Sequence, residues 1–121
     1  MKFIISESET KDIIQKAFNK IIKKDSFNWV DSIDVKLLST TDIGWNKKDE
    51  KPLYNYIVNF KEGVIPENES QDELFDLISM YHGMIFNQSN KDYDFSTPNA
   101  YFSVATRFPN GKIGSFPYFP H

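Results

Sequence analysis

The chain has 121 residues and a mass of 14.1 kDa, a size that predicts one domain spanning residues 1–121. Hydrophobic residues make up 40% and aromatic residues 16%, which is enough apolar surface for a folded core. The lack of cysteine excludes a disulfide framework, a thiolate metal site and a cysteine nucleophile. With two histidines, His82 and His121, we expect neither a metal site nor a bound cofactor.

No segment of the sequence has the pattern of a membrane or export signal. The apolar run 3–5 ends at Ser6, which is too short for the core of a signal peptide. Nowhere do 18 apolar residues follow one another, so no transmembrane helix is predicted. We therefore expect a cytoplasmic protein with no membrane partner.

The formal net charge of −3 is unevenly distributed along the chain. Residues 1–24 carry +3, residues 66–97 carry −6 and residues 98–121 carry +2. Arg107 is the single arginine, which is few for a phosphate-binding protein, because arginine is the usual bidentate ligand of phosphate. Net charge therefore disfavours general nucleic-acid binding, although it does not exclude binding through a local lysine patch.

The first half of the chain predicts a helix and two strands. Residues 2–5 form a short strand or helix lead-in, and Ser6 with Glu9 has capping-box spacing. Residues 33–37 alternate between apolar and polar types, and residues 53–60 are aromatic and β-branched; we expect these two strands to pair across a loop at 42–52. The helical stripe that follows the capping box consists of Ile13, Ile14, Ala17, Phe18, Ile21 and Ile22.

The second half predicts another helix and one or two strands. Ser70 and Glu73 repeat the capping-box spacing before an amphipathic helix of about 17 residues. Residues 87–99 form a polar loop, residues 100–108 a strand, residues 109–111 a turn, and residues 112–119 a last strand or an extended tail. The apolar stripe of this helix consists of Leu74, Phe75, Leu77, Ile78, Tyr81 and Ile85, with Met84 as a further candidate.

The predicted order is (β)αββαβ(β), an α+β fold. We expect both helices on one face of a four- to five-stranded, mainly antiparallel sheet. If residues 2–5 are a strand, the order matches that of ferredoxin-like folds.

An acidic stretch at the start of the second helix is the first candidate binding surface. The helix dipole favours acids there, so these side chains have a structural explanation. They can equally form an anionic patch that steers a basic partner. The patch consists of Glu67, Glu69, Asp72, Glu73 and Asp76.

Aromatic side chains form the second candidate surface. If Leu53 and Ile57 face the helices, Tyr54 and Tyr56 face outward, where they can contact a partner or stack on single-stranded nucleic acid. The alternative is that the C-terminal tail folds over them. The strand lacks the basic-Gly start of the RNA-recognition-motif pattern. The other members of this surface are Tyr101 and Arg107 from the next strand, and Phe116, Tyr118 and Phe119 from the tail.

The sequence does not predict an enzyme. It has no Gly-rich phosphate loop, no G-x-S-x-G and no H-E-x-x-H, and His82 is expected to be a partly buried helix residue with satisfied hydrogen bonds.

We expect a protein-binding function instead. The leading hypothesis is an inhibitor, an immunity-type protein, an antitoxin or a phage or mobile-element protein that neutralises a basic protein through its acidic patch. The alternatives are an assembly subunit, in a virion or a homo-oligomer, that docks by its aromatic tail, and a single-stranded nucleic-acid binder.

Overall fold

The computed structural model of the protein describes residues 3–5, 7–39, 52–86, 93–95 and 101–118. Within them the chain has two α-helices and a four-stranded mixed sheet, and the fold class is α+β as predicted. The elements are β1 (Phe3–Ile5), α1 (Glu7–Ile21), a 3₁₀ helix (Asp25–Phe27), β2 (Val30–Ser39), β3 (Pro52–Phe60), α2 (Asn68–Phe86), β4 (Tyr93–Phe95), β5 (Tyr101–Arg107) and β6 (Ile113–Ser115).

The four-stranded sheet has the order β2-β3-β5-β6. The expected antiparallel pairing of β2 with β3 is confirmed, and β5 pairs with β6 in the same way. In contrast, β3 and β5 are parallel, because the chain returns through α2 in a crossover connection. The sheet is therefore mixed, and it contains two antiparallel pairings and one parallel pairing among the described strands.

Two of the three-residue strands, β1 and β4, form a separate sheet. Residues 3–5 are a strand, but β1 pairs in parallel with β4, where Phe3 lies opposite Tyr93. The elements thus follow one another in the ferredoxin-like order, whereas in the described residues β1 lies outside the four-stranded sheet. Strand β4 also lies inside the segment that we expected to be a polar loop, because its pairing partner is remote in sequence.

Helix α2 begins three residues earlier than a cap at Ser70 predicts. Its first residue is Asn68, so Ser70 lies inside the first turn, and the predicted cap at Ser70 is wrong. The Ser70 hydroxyl instead donates to the carbonyl oxygen of Ser26 at 2.8 Å. The predicted cap at Ser6 and residues 42–51 of the predicted loop lie outside the described residues.

Both helices pack against the same face of the sheet, as expected. Phe18 of α1 meets Tyr56 of β3 edge to face, with ring centroids 4.9 Å apart. Leu74 and Ile78 of α2 are fully buried in the same cluster. Burying these side chains contributes roughly 1.5–3 kcal/mol each before entropy losses, so this interface holds the fold together.

The predicted orientation of β3 is wrong. Tyr54 and Tyr56 are fully buried on the helix side and do not form an outer aromatic surface. Asn55 and Asn59 lie on the opposite face, where their amides form hydrogen bonds. The strand takes this orientation because the reverse would bury two amides in an aromatic core.

Candidate protein-binding surface

Helix α2 has one buried and one exposed face, and its exposed face is acidic in the first half. Buried positions such as Leu74, Ile78 and His82 recur with helical spacing toward the sheet. All five acids of the predicted patch are exposed. Glu69 lies in the first turn of α2, where the macrodipole stabilises an acidic side chain by about 0.3–1 kcal/mol.

A groove of about 530 Å³ adjoins this end of the helix. Its walls come from the 3₁₀ helix with the residues that follow it, from the loop 64–67 and from the first turns of α2. None of the described residues that line it is basic. We call it the acidic groove, after the four carboxylates that line it: Asp25, Glu67, Glu69 and Glu73.

Hydrogen bonds around Trp29 fix the walls of the acidic groove to each other. The Trp29 Nε1–H donates to the Ser26 carbonyl oxygen at 3.1 Å and to Ser70 Oγ at 2.8 Å. The indole is almost fully buried, and its ring stacks on Phe116 with centroids 6.3 Å apart. The groove therefore exists before any partner arrives, which lowers the entropy cost of binding.

Two exposed apolar side chains stand at the rim of the acidic groove. Val64 and Ile65 line it, and Ile65 is 64% exposed. They follow Gly63, whose φ of 75° lies in the left-handed region that other residues rarely adopt. The groove thus places an apolar rim beside its carboxylates, and apolar contacts at such a rim would exclude water from the charges.

The C-terminal tail packs onto the molecule as far as it is described, up to Tyr118. Phe116 is buried against Phe60 and Trp29, so of the two alternatives for the tail, packing onto the molecule holds for this residue. Tyr118 is half-buried, and the buried Gln71 side chain brackets its backbone: Nε2 donates to the Tyr118 carbonyl and Oε1 accepts from its N–H, each at 2.6 Å. Phe119 lies outside the described residues.

Tyr101 and Arg107 lie on the face of the sheet that is turned away from the helices, remote from the acidic patch. Tyr101 is 52% exposed. Arg107 Nη1 forms an ion pair with Asp34 Oδ2 at 3.0 Å. The structure thus separates the predicted site residues into exposed acids on α2, buried aromatic residues and an outer sheet face.

His82 lies in the core, as the sequence predicted. It is almost fully buried, and its Nδ1 forms a hydrogen bond with the Tyr56 hydroxyl. Burial, followed by the nearby Tyr54, raises the pKa of the Tyr56 phenol far above its usual value. The phenol therefore stays neutral at physiological pH and serves as a structural hydrogen-bonding group.

Sequence reasoning missed the remaining members of the surface. Asp25 reaches the acidic groove only through the tertiary fold, because it is more than forty residues from Glu67 in sequence. Val64 and Ile65 could have been noticed as an apolar pair between Gly63 and a proline in an otherwise charged loop.

Within the described parts of the chain, no cluster of three or more potential metal ligands is present. No helix there is sufficiently long and apolar to cross a membrane. Comparisons of the chain with protein-family models, with curated proteins and with solved structures gave no match.

Proposed function

We propose that this protein is a non-enzymatic binding protein that neutralises a basic protein partner through the acidic groove and the exposed acids of α2. The observation that carries the proposal is the acidic groove itself. In the part of the chain that the structure describes, no basic side chain lines the groove with its four carboxylates, and two exposed apolar residues stand beside them.

Charge complementarity identifies the chemistry of the partner. A cationic cleft would replace the water around these acids and gain attraction at every step of its approach, which raises the association rate. Enzymes that process nucleic acids have such clefts, because they bind phosphates. An inhibitor of immunity or antitoxin type would block the cleft by occupying it.

Two other expected functions receive less support. The nucleic-acid hypothesis needs outward tyrosines, whereas Tyr54 and Tyr56 are buried. The assembly hypothesis needs a free aromatic tail, whereas Phe116 is part of the core and Gln71 holds Tyr118. We therefore do not propose either of them.

The test is affinity capture from the native source with a charge-neutralised variant and a matched control. The double variant Glu69→Gln, Glu73→Gln removes two charges from the acidic groove. The double variant Asp12→Asn, Asp31→Asn removes two exposed charges elsewhere. We expect a stoichiometric basic protein with the wild type and the control, and roughly tenfold weaker binding with the groove variant.

Circular dichroism spectra must show that both variants are folded. Capture of the same protein with equal affinity by all three proteins would contradict the proposal. A captured protein without a basic surface would contradict it as well.

A further inference from the structure

The exposed face of α2 continues beyond its acids into an apolar pair. Met80 and Met84 are 51% and 61% exposed, and their spacing of four residues places them on the same side of the helix. Gly83 lies on this side too, and a Cβ built on it would meet nothing within 4 Å. Of the described elements, none covers this part of α2.

The methionines and the acids form one continuous stripe. With 3.6 residues per turn, Glu69, Asp76 and Met80 lie almost in line along the axis. Glu73 and Met84 flank that line on one side, and Asp72 and Gly83 flank it on the other. At 1.5 Å per residue, the stripe from Glu69 to Met84 is about 22 Å long. Its first half is anionic and its second half is apolar.

The exposed methionines are not explained by the packing of the fold. The face of α2 that meets the sheet is complete without them, because it buries Leu74, Ile78, His82 and Phe86. Methionine is flexible and polarizable, and it is common on surfaces that bind amphipathic helices. Two neighbouring exposed methionines beside acidic side chains therefore indicate a docking face rather than an ordinary solvated surface.

We propose that this stripe docks a cationic amphipathic helix of the partner, with its basic residues on Asp72, Glu73 and Asp76 and its apolar residues on Met80 and Met84. The inference rests on the proposed function and specifies the partner element. A stripe of this length matches a helix of about 15 residues. An antiparallel arrangement places the basic end of the partner helix at its own C-terminus, where the dipole favours cations.

The charge of the stripe argues against other partners. Membrane surfaces and nucleic acids are anionic, so both would be repelled by the acids that flank the methionines. A cationic helix has both features that the stripe requires, an apolar face and positive charge.

The test uses the full chain labelled with ¹³C at the methionine methyl groups and two synthetic peptides. The first peptide carries leucines along one face of its N-terminal half and lysines along the same face of its C-terminal half. The second has the same composition with the leucines spread around the helix. We expect the first peptide to shift the signals of Met80 and Met84 saturably and to bind about tenfold more tightly than the second.

Variants separate this inference from the proposed function. Met80→Gln, Met84→Gln should weaken the first peptide roughly tenfold, whereas Ile113→Gln, a change at another exposed apolar residue, should not. Equal binding of the two peptides, no saturable binding of the first, or unshifted methionine signals would overturn the inference. If the methionine variant keeps full affinity for the captured protein while Glu69→Gln, Glu73→Gln loses it, the inference fails and the proposed function stands.

Discussion

The two faces of the four-stranded sheet differ in their polar and aromatic contacts, although both bury apolar side chains, since Leu53 and Ile57 on the outer face are almost fully buried. On the helix side, aromatic rings pack edge to face, and Phe60 lies 5.2 Å from Trp29 and 5.5 Å from Phe108 between ring centroids. On the outer side, the Asn59 amide donates to Ser32 Oγ at 2.9 Å and to Asp34 Oδ2 at 3.1 Å. The outer network is partly solvated, so we expect most of the stability to come from the helix side.

The largest expected difference between the faces concerns two tyrosines. Tyr56→Ala removes a fully buried ring and should lower the free energy of unfolding by about 3–5 kcal/mol. Tyr101→Ala removes a ring that is half exposed on the outer face and should cost less than about 1 kcal/mol. Urea titrations of both variants measure the difference, and equal losses would show that the faces contribute alike.

The second comparison between the faces concerns how the free energy of unfolding depends on pH. Burial raises the pKa of the Tyr56 phenol in the folded protein, whereas in the unfolded chain this phenol ionises near its usual pKa of 10.0. The neutral phenol therefore contributes stability that is fully present below pH 10 and falls as the pH rises above it. For one proton, the free energy of unfolding falls by about 1.4 kcal/mol per pH unit in this range.

Tyr56→Phe should remove this contribution to the fall of the free energy of unfolding above pH 10. The control Tyr101→Phe should keep it. Urea titrations at several values above pH 10 measure both variants. An unchanged slope in the Tyr56→Phe variant would mean that this phenol is not protected in the folded state.

The smallest expected effect belongs to the ion pair on the outer face. Arg107 and Asp34 are both partly exposed, so solvent screens their attraction. A double-mutant cycle of Arg107→Ala and Asp34→Ala should give a coupling energy below about 1 kcal/mol. A coupling of several kcal/mol would mean that the outer network contributes as much to the free energy of unfolding as the aromatic core does.

Strand β3 shows how far the sequence could be interpreted. Alternation correctly groups Tyr54 with Tyr56, but it does not say which face is inward. The two asparagines, Asn55 and Asn59, carry that information, because amides avoid an apolar core unless they have partners there. The parallel pairing of β3 with β5 follows from tertiary structure and has no local signal.

The residues of the candidate site also differ in whether the sequence alone could predict them. The acids of α2 could be predicted, since a helix N-terminus and its charge are local features of the sequence. Asp25 could not, because only the packing of the 3₁₀ helix against α2 brings it to the acidic groove. Met84 was a candidate for the core stripe; the helical angle places it on the acidic side, and the structure exposes it there.

The most direct test of the central claim is the association rate of the captured partner as a function of ionic strength, measured by stopped flow. Docking through the acidic groove predicts a wild-type rate that falls steeply with salt, because screening weakens the attraction between groove and partner. Glu69→Gln, Glu73→Gln should lower both the rate and its salt dependence, and Asp12→Asn, Asp31→Asn should keep the wild-type values. Rates that are independent of salt and equal in all three proteins would contradict the account.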